Sequence, residues 1–578
     1  MLQLHRSSRL ENTPQAADDP SIRFEGFEMQ RFKSWDEIEP TATKAERKLK
    51  QAAEAGEFCI CGPKGQTPPE PADWSSLPAD RRIRADVLRF FLLGGCADSL
   101  VTEVGVMLTG ALISGELDLA DCEIPGNMLV HNCRFQHGIH ATRCNALKNF
   151  RLESCKLPFL SAAGLKVGEQ LDCEGAEFQS QGGIALNLQG AKIDQNVFLG
   201  SARILGEANL NGLQTDGQLG CTSATFRNQG RSALSVQGAK IGQDVFLNSA
   251  KVLGKADLNG IHIGGQLGCD DTEFQCPGRI ALNLQDAVIG HGLFFRHQVK
   301  IKGAVDLRAA RCGVMVDDPD CWPERGQLIL DGFSYGRIIG STDAQTRLTW
   351  LARSDNQSRE FFPQPYKQLA KVLHDAGHEA DAKTIRVALA QKLAFEARRL
   401  RRIELDGNWG PAWASIWYDI TRPVLWLIHQ VLNILTSHGF RPERSLFALV
   451  LLWLLAVLPA HLAWKEGSFA PNSSIILTSE EWAEYDTRNG PPDVENPAQD
   501  WSDNTVAGRD WESFHPLAYA ADVVIPIINF GQTDAWAPST TRGPAGVFLW
   551  WARWLFTLAG WIVTALGAAA LTGIIRRE

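Results

Sequence analysis

Between about Gly105 and Arg311 the apolar residues recur at a spacing that no helix produces. The shortest unit reads apolar-x-x-small-x-apolar and begins again at every eleventh position, as from Leu108 to Leu119. It is seen in Leu108/Ala111/Ile113, Leu119/Cys122/Ile124, Leu188/Ala191/Ile193, Leu199/Ala202/Ile204, Leu247/Ala250/Val252 and Leu284/Ala287/Ile289. Short strands joined by tight turns fit this spacing, with the small residues letting successive coils stack. A longer unit is superposed: ALNLQGAKIDQNVFLGSARILGEANLNG from Ala185 returns as ALSVQGAKIGQDVFLNSAKVLGKADLNG from Ala233, and then as ALNLQDAVIGHGLFF from Ala281. QLDC at Gln170 and QLGC at Gln218 and Gln266 keep the same step. Three short units and one lengthened by four positions fill that step, so four extra residues fall near Gln181, Gln229 and Pro277. Two units give a coil of about 22 residues, with loops stacked along one edge at every second coil. About nine coils at ~4.8 Å make a rod of roughly 40–45 Å.

The flanks change period. Thr41–Glu57 and Pro78–Leu93 carry helical patterns, the first opened by an N-cap threonine, and they suit a cover for the solenoid's open first edge. After the solenoid, Pro365–Ile403 reads as a long helix or a hairpin turning at Gly377, ending in the basic cluster Arg398, Arg399, Arg401 and Arg402. Trp413–Leu435 includes Asp419 and Arg422, which fits a helix lying in a membrane interface better than a third crossing.

Two windows are apolar enough to cross a bilayer, Ser445–Trp464 and Trp554–Ile575, and neither contains Asp, Glu, Lys or Arg. Arg441 and Arg444 precede the first, and Arg576 and Arg577 follow the second. The positive-inside rule then puts both termini in the cytoplasm and the acidic connection outside. Within that connection, Phe514–Phe530 is too short and too interrupted by Pro526 to span, and suits a re-entrant pore loop carrying Asp522, Asn529, Gln532 and Asp534. The second span bears a small, hydroxylated stripe (Thr557, Gly560, Thr564, Ala568 and Thr572) that suits close packing or a pore lining. The expected parts are a helical cap over 1–104, a right-handed β-solenoid over 105–340, a cytoplasmic helical connector over 341–410 and an interfacial helix over 411–440. A two-span domain over 441–578, with an external loop 465–545, completes the mainly β chain.

Composition adds exclusions. The net charge of −9 argues against a protein that coats nucleic acid. Acidic and basic residues nearly balance through the solenoid, so it lacks the dense acidic face of a DNA mimic. The amino-terminal residues show no apolar signal-peptide region. All 13 cysteines precede the first span, which fits a reduced cytosolic domain. Cys122, Cys133, Cys144 and Cys155 recur once per short unit, at the inward position filled elsewhere by alanine, and read as small hydrophobes with no metal implied. Cys59 and Cys61 lack a second ligand pair. No GxGxxG, CxxC, HExxH, nucleophile elbow or P-loop is present, so the expectation is a non-enzyme with no catalytic residues and no cofactor.

The segments IRADVLRFFLLGG, GVMLTGALISGELDL, YKQLAKVLHDAGHEADA, SHGFRPERSL and GWIVTALGAAALTGIIRR resemble bacterial pentapeptide-repeat-like β-solenoid membrane proteins, often labelled membrane-associated oxidoreductases. The chain is also similar to the effector channels of the Hailong phage-defence system. The resemblance implies an antiviral ion channel of the bacterial inner membrane, a homotetramer held closed by single-stranded DNA oligomers from a partner nucleotidyltransferase. On that reading Arg398, Arg399, Arg401 and Arg402 bind an anionic oligonucleotide or nucleotide ligand, and the bilayer and further copies of the chain are partners. A membrane-anchored scaffold that recruits proteins along the solenoid is the alternative.

Overall fold

The computed structural model describes residues 31–62, 66–355, 361–407, 443–486 and 494–572. The chain forms two compact units, Met1–His378 and Glu379–Glu578.

The first unit is a parallel β-solenoid of about ten turns. Its strands lie in two large sheets, and almost every pairing is parallel to the equivalent strand of the next coil. Lys192 pairs with Gln214 and Gln214 with Lys240, so the second of these coils is the longer by four positions. The four extra residues widen the long strands Glu177–Asn187, Thr225–Ser235 and Glu273–Asn283, where the register slips. These excursions recur at every second coil, as the step from Ala185 to Ala233 requires. Arg279 ties two of them together by donating from Nη1 to Gly230 O at 2.8 Å.

The short period has a backbone cause. Asp121, Asn132, Arg143 and Ser154 adopt φ of 55°, 50°, 56° and 53°, one left-handed residue per unit. Each precedes a small inward residue, here Cys122, Cys133, Cys144 and Cys155. Three residues before many of these corners an Asp or Asn accepts a turn hydrogen bond, as Asn187 Oδ1 does from Gln189 N and Asp306 Oδ1 from Arg308 N. Ser and Asp at left-handed corners were not part of the pattern read from the apolar positions. Cys133, Cys144 and Cys155 are buried as expected, whereas Cys122 is half-buried. Among the described residues no three His, Cys, Asp or Glu side chains come together as a metal site.

The amino-terminal cover is more intimate than two helices. Helix α1, Lys44–Ala55, starts two residues later than the pattern predicted, because Thr43 and Glu46 form a reciprocal capping box. The first half of the predicted second helix is instead a turn and a short strand, Arg82–Arg84, paired with Leu112–Ser114, and only Ala85–Leu92 (α2) is helical. Phe58–Ile60 likewise pairs with Met107–Thr109. Unpaired edge groups of the first coil thus override local helix propensity. Buried Glu46 joins the two parts, accepting from Arg84 N, Nε and Nη2, each at 2.9 Å.

At the other end, helix α3, Ala344–Ala352, closes the last coil. Arg347 and Asp317 form a bidentate pair at 2.8 Å with side-chain exposures of 1 % and 0 %, and Trp322 Nε1 donates to the same carboxylate. Helix α4, Gln364–Asp375, lies on Ser334–Ile339 and ends at Gly377, where the predicted turn occurs.

The second unit begins with helix α5, Glu379–Gly407. Helix α6, Glu443–Lys465, and helix α8, Pro544–Leu571, are each long and apolar enough to cross a membrane. Between them lies helix α7, Pro516–Val524. Unlike core helices of a soluble protein, α6 and α8 are only 22 % buried over their most apolar windows. Leu446, Phe447, Leu451 and Leu458 on one, and Phe548, Trp551, Leu555 and Trp561 on the other, are exposed. Helix α8 starts well before the predicted window, at Pro544 and not at Trp554, so Arg553 lies within it, against Trp550 and Trp554.

Candidate functional site: a half-helix between two apolar helices

The connection between α6 and α8 is an ordered aromatic domain where described. Strand Phe469–Pro471 pairs antiparallel with Trp536–Pro538. Trp464 stacks on Phe514 at 4.3 Å, and Trp482, Trp501 and Trp536 are fully buried around them. Glu466 fastens its two ends by accepting from Ala545 N and Gly546 N, where a carboxylate also complements the N-terminus of α8.

From this domain α7 descends between α6 and α8. Tyr519, Ala520, Val523 and Val524 share a core with Ala456, Ala460 and Ala463 of α6 and Leu549 of α8. Trp453 Nε1 donates to Leu517 O at 2.9 Å. The helix ends at mid-height of α8: Thr557 Oγ1 donates to Val523 O at 3.0 Å, and a Cβ placed on Gly560 would stand 1.8 Å from Val524 O. Both residues lie near the middle of α8. Gly546, Gly560 and Gly567 fall on one heptad face and mark three such close approaches, to Ser539, Val524 and Ser445. That glycine spacing, visible in the sequence, was the unread signal.

The chain then reverses. Pro526 sits in a turn closed by Ile528 N donating to Ile525 O at 3.1 Å. Residues 528–532 return beside α7, held by Asp522. Its Oδ1 accepts from Phe530 N at 2.6 Å, and its Oδ2 from Gln532 N at 2.7 Å and Thr533 N at 3.3 Å. Gln532 is buried, accepting from His515 N and donating to Ser513 O. Asn529 Oδ1 accepts from Gly531 N, and its Nδ2 points to Asp534 at 3.4 Å. The four residues predicted for a pore loop therefore come together, as a knot that fixes a half-helix and its return.

The stripe on α8 divides. Its upper part, Thr557 and Gly560, meets α7, and the Thr564 hydroxyl is buried with no hydrogen-bond partner among the described residues. Ala568 and Thr572 are exposed, with Thr572 Oγ1 returned to Ala568 O. Arg398, Arg399, Arg401 and Arg402 lie on the last turns of α5, but their side chains are outside the described ones. The predicted interfacial helix also lies outside the described residues. Lys383 of α5 stands 3.6 Å from Glu443 at the start of α6.

No family model matches this chain, and no curated protein matches it.

Proposed function

We propose that the chain is one subunit of an oligomeric membrane pore whose cytoplasmic solenoid senses a ligand. The observation that carries this reading is the half-helix α7, which turns back at mid-height between two helices with exposed apolar outer faces. Irregular backbone at such depth needs protein or water beside it, and a pore supplies water. Two helices cannot enclose a path, so several copies are required; fourfold symmetry is what the family resemblance implies. Positive flanks favour both termini inside, and a bacterial inner membrane is what the family resemblance implies. The Lys383–Glu443 pair gives the connector helix a contact through which a cytoplasmic event reaches the first apolar helix.

The resemblance further implies a phage-defence role and gating by an anionic oligonucleotide or nucleotide at Arg398, Arg399, Arg401 and Arg402. A ligand shifts opening only by its differential affinity for the two states, and phosphate contacts carry a steep salt dependence. Purified protein in liposomes loaded with a fluorescent ion indicator tests the pore. Ion flux supports it; no flux with any oligonucleotide present or removed leaves a membrane-anchored scaffold as the reading. Replacing the four arginines by alanine is expected to weaken oligonucleotide binding, read by fluorescence anisotropy at two salt concentrations, and to leave the pore leaky.

A further inference from the structure

The return segment leaves its carbonyl groups open. Among the described residues no N–H or side chain donates to the carbonyls of Pro526, Ile527, Ile528, Asn529 or Phe530. Only the N–H groups of Ile527 and Asn529 are open in the same stretch, so acceptors outnumber donors. The side chains offer no substitute, because Ile527 and Phe530 are exposed and apolar. In water such a loop needs nothing further. At mid-height of two membrane-crossing helices, open carbonyls are tolerated only where they face water or ions.

Two further features, the end of α7 and Asp522, add negative potential near the return segment. The C-terminal end of α7, carrying the partial negative charge of a helix terminus, points there. The Asp522 carboxylate lies within a turn of that end. The buried Thr564 hydroxyl, about one turn of α8 beyond Gly560, has no partner among the described residues. Arg553, the basic group within α8, is engaged by Tyr519 and two tryptophan rings. Resting on the pore reading, we infer that the backbone from Pro526 to Phe530 is a binding path for monovalent metal cations. Copies of this segment around the oligomer axis present carbonyl oxygens that replace the ion's hydration shell. The pore is accordingly selective for cations over anions.

Reversal potentials of the full chain in planar bilayers under a KCl gradient test this directly. A preference for K⁺ over Cl⁻ of about tenfold or more, ~1.4 kcal/mol, is expected. Reversal at the chloride potential or at zero overturns the cation path and leaves the pore standing. Cation binding is read independently from the thermal midpoint of the solubilised chain, comparing KCl with N-methylglucamine chloride at equal ionic strength. K⁺ is expected to raise the midpoint of the wild type and to raise it less in Thr564→Val and Asp522→Asn. K⁺-specific stabilisation without current supports the site and removes only conduction. Absence of both overturns the site together with the pore.

Discussion

The solenoid and the apolar-helix unit solve the same problem, satisfying a buried backbone, in opposite ways. In the solenoid every coil supplies partners for the next, so the same pairing recurs from Lys192 to Gln214 and from Gln214 to Lys240. Its corners need only a left-handed residue and a small inward neighbour, and Ser, Asn, Asp, Gly, Cys and Ala fill those places interchangeably. In the second unit each key contact occurs once. Glu466 holds α8, Asp522 holds the return, and Gly560 admits Val524. Redundancy makes the first region tolerant, and singular contacts make the second brittle and suited to hold a specific geometry.

The largest effect is expected where the solenoid itself loses redundancy. Arg347→Ala strips Asp317 of its buried partner and should cost about 3–5 kcal/mol, because a buried charge is left uncompensated. Denaturant unfolding followed by far-UV circular dichroism checks it. A shift no larger than that of an exposed arginine would refute the terminal-cap account.

Gly560→Leu comes next. Overpacking against Val524 should cost about 1–3 kcal/mol and abolish ion flux, since α7 can no longer reach α8. Retained flux would show that the half-helix is not part of the path. Gly190→Ala sharpens the contrast: this glycine has φ +65° with nothing near its side-chain position, so only the left-handed backbone objects. The cost should be ~1–2 kcal/mol, with flux unchanged.

The smallest effect at neutral pH belongs to the thiols. Burial pushes Cys144, Cys221 and Cys312 from the ordinary 9.0 up to about 12. A raised folded pKa stabilises fully below the unfolded value, and that contribution is lost as pH climbs from 9.0 towards about 12. Cys144→Ala and Cys221→Ala should therefore leave the melting temperature near neutrality almost unchanged and flatten its fall in the alkaline range. An identical alkaline fall in wild type and variants would exclude the thiols as its cause.

Much of the first region was legible because its contacts repeat. The inward Leu, Ala and Ile positions and the four-residue excursions near Gln181, Gln229 and Pro277 follow from spacing, and the turn at Gly377 from its glycine. Arg82–Arg84 misled the helical reading, because edge pairing with Leu112–Ser114 outweighs local propensity and is invisible in the segment itself. In the second region the two apolar helices and the grouping of Asp522, Asn529, Gln532 and Asp534 were likewise foreseeable.

By itself the sequence determined a stacked-coil solenoid and two helices long and apolar enough to cross a membrane, since both depend on periodicity and on the composition of continuous stretches. Only the tertiary structure decided that Asp522 grips Phe530 and Gln532, that Val524 rests on Gly560, and that Glu466 reaches Ala545 across 79 positions of chain. Such contacts join residues at separations that occur once, so no repeat or local preference announces them, and chain folding alone selects the pair.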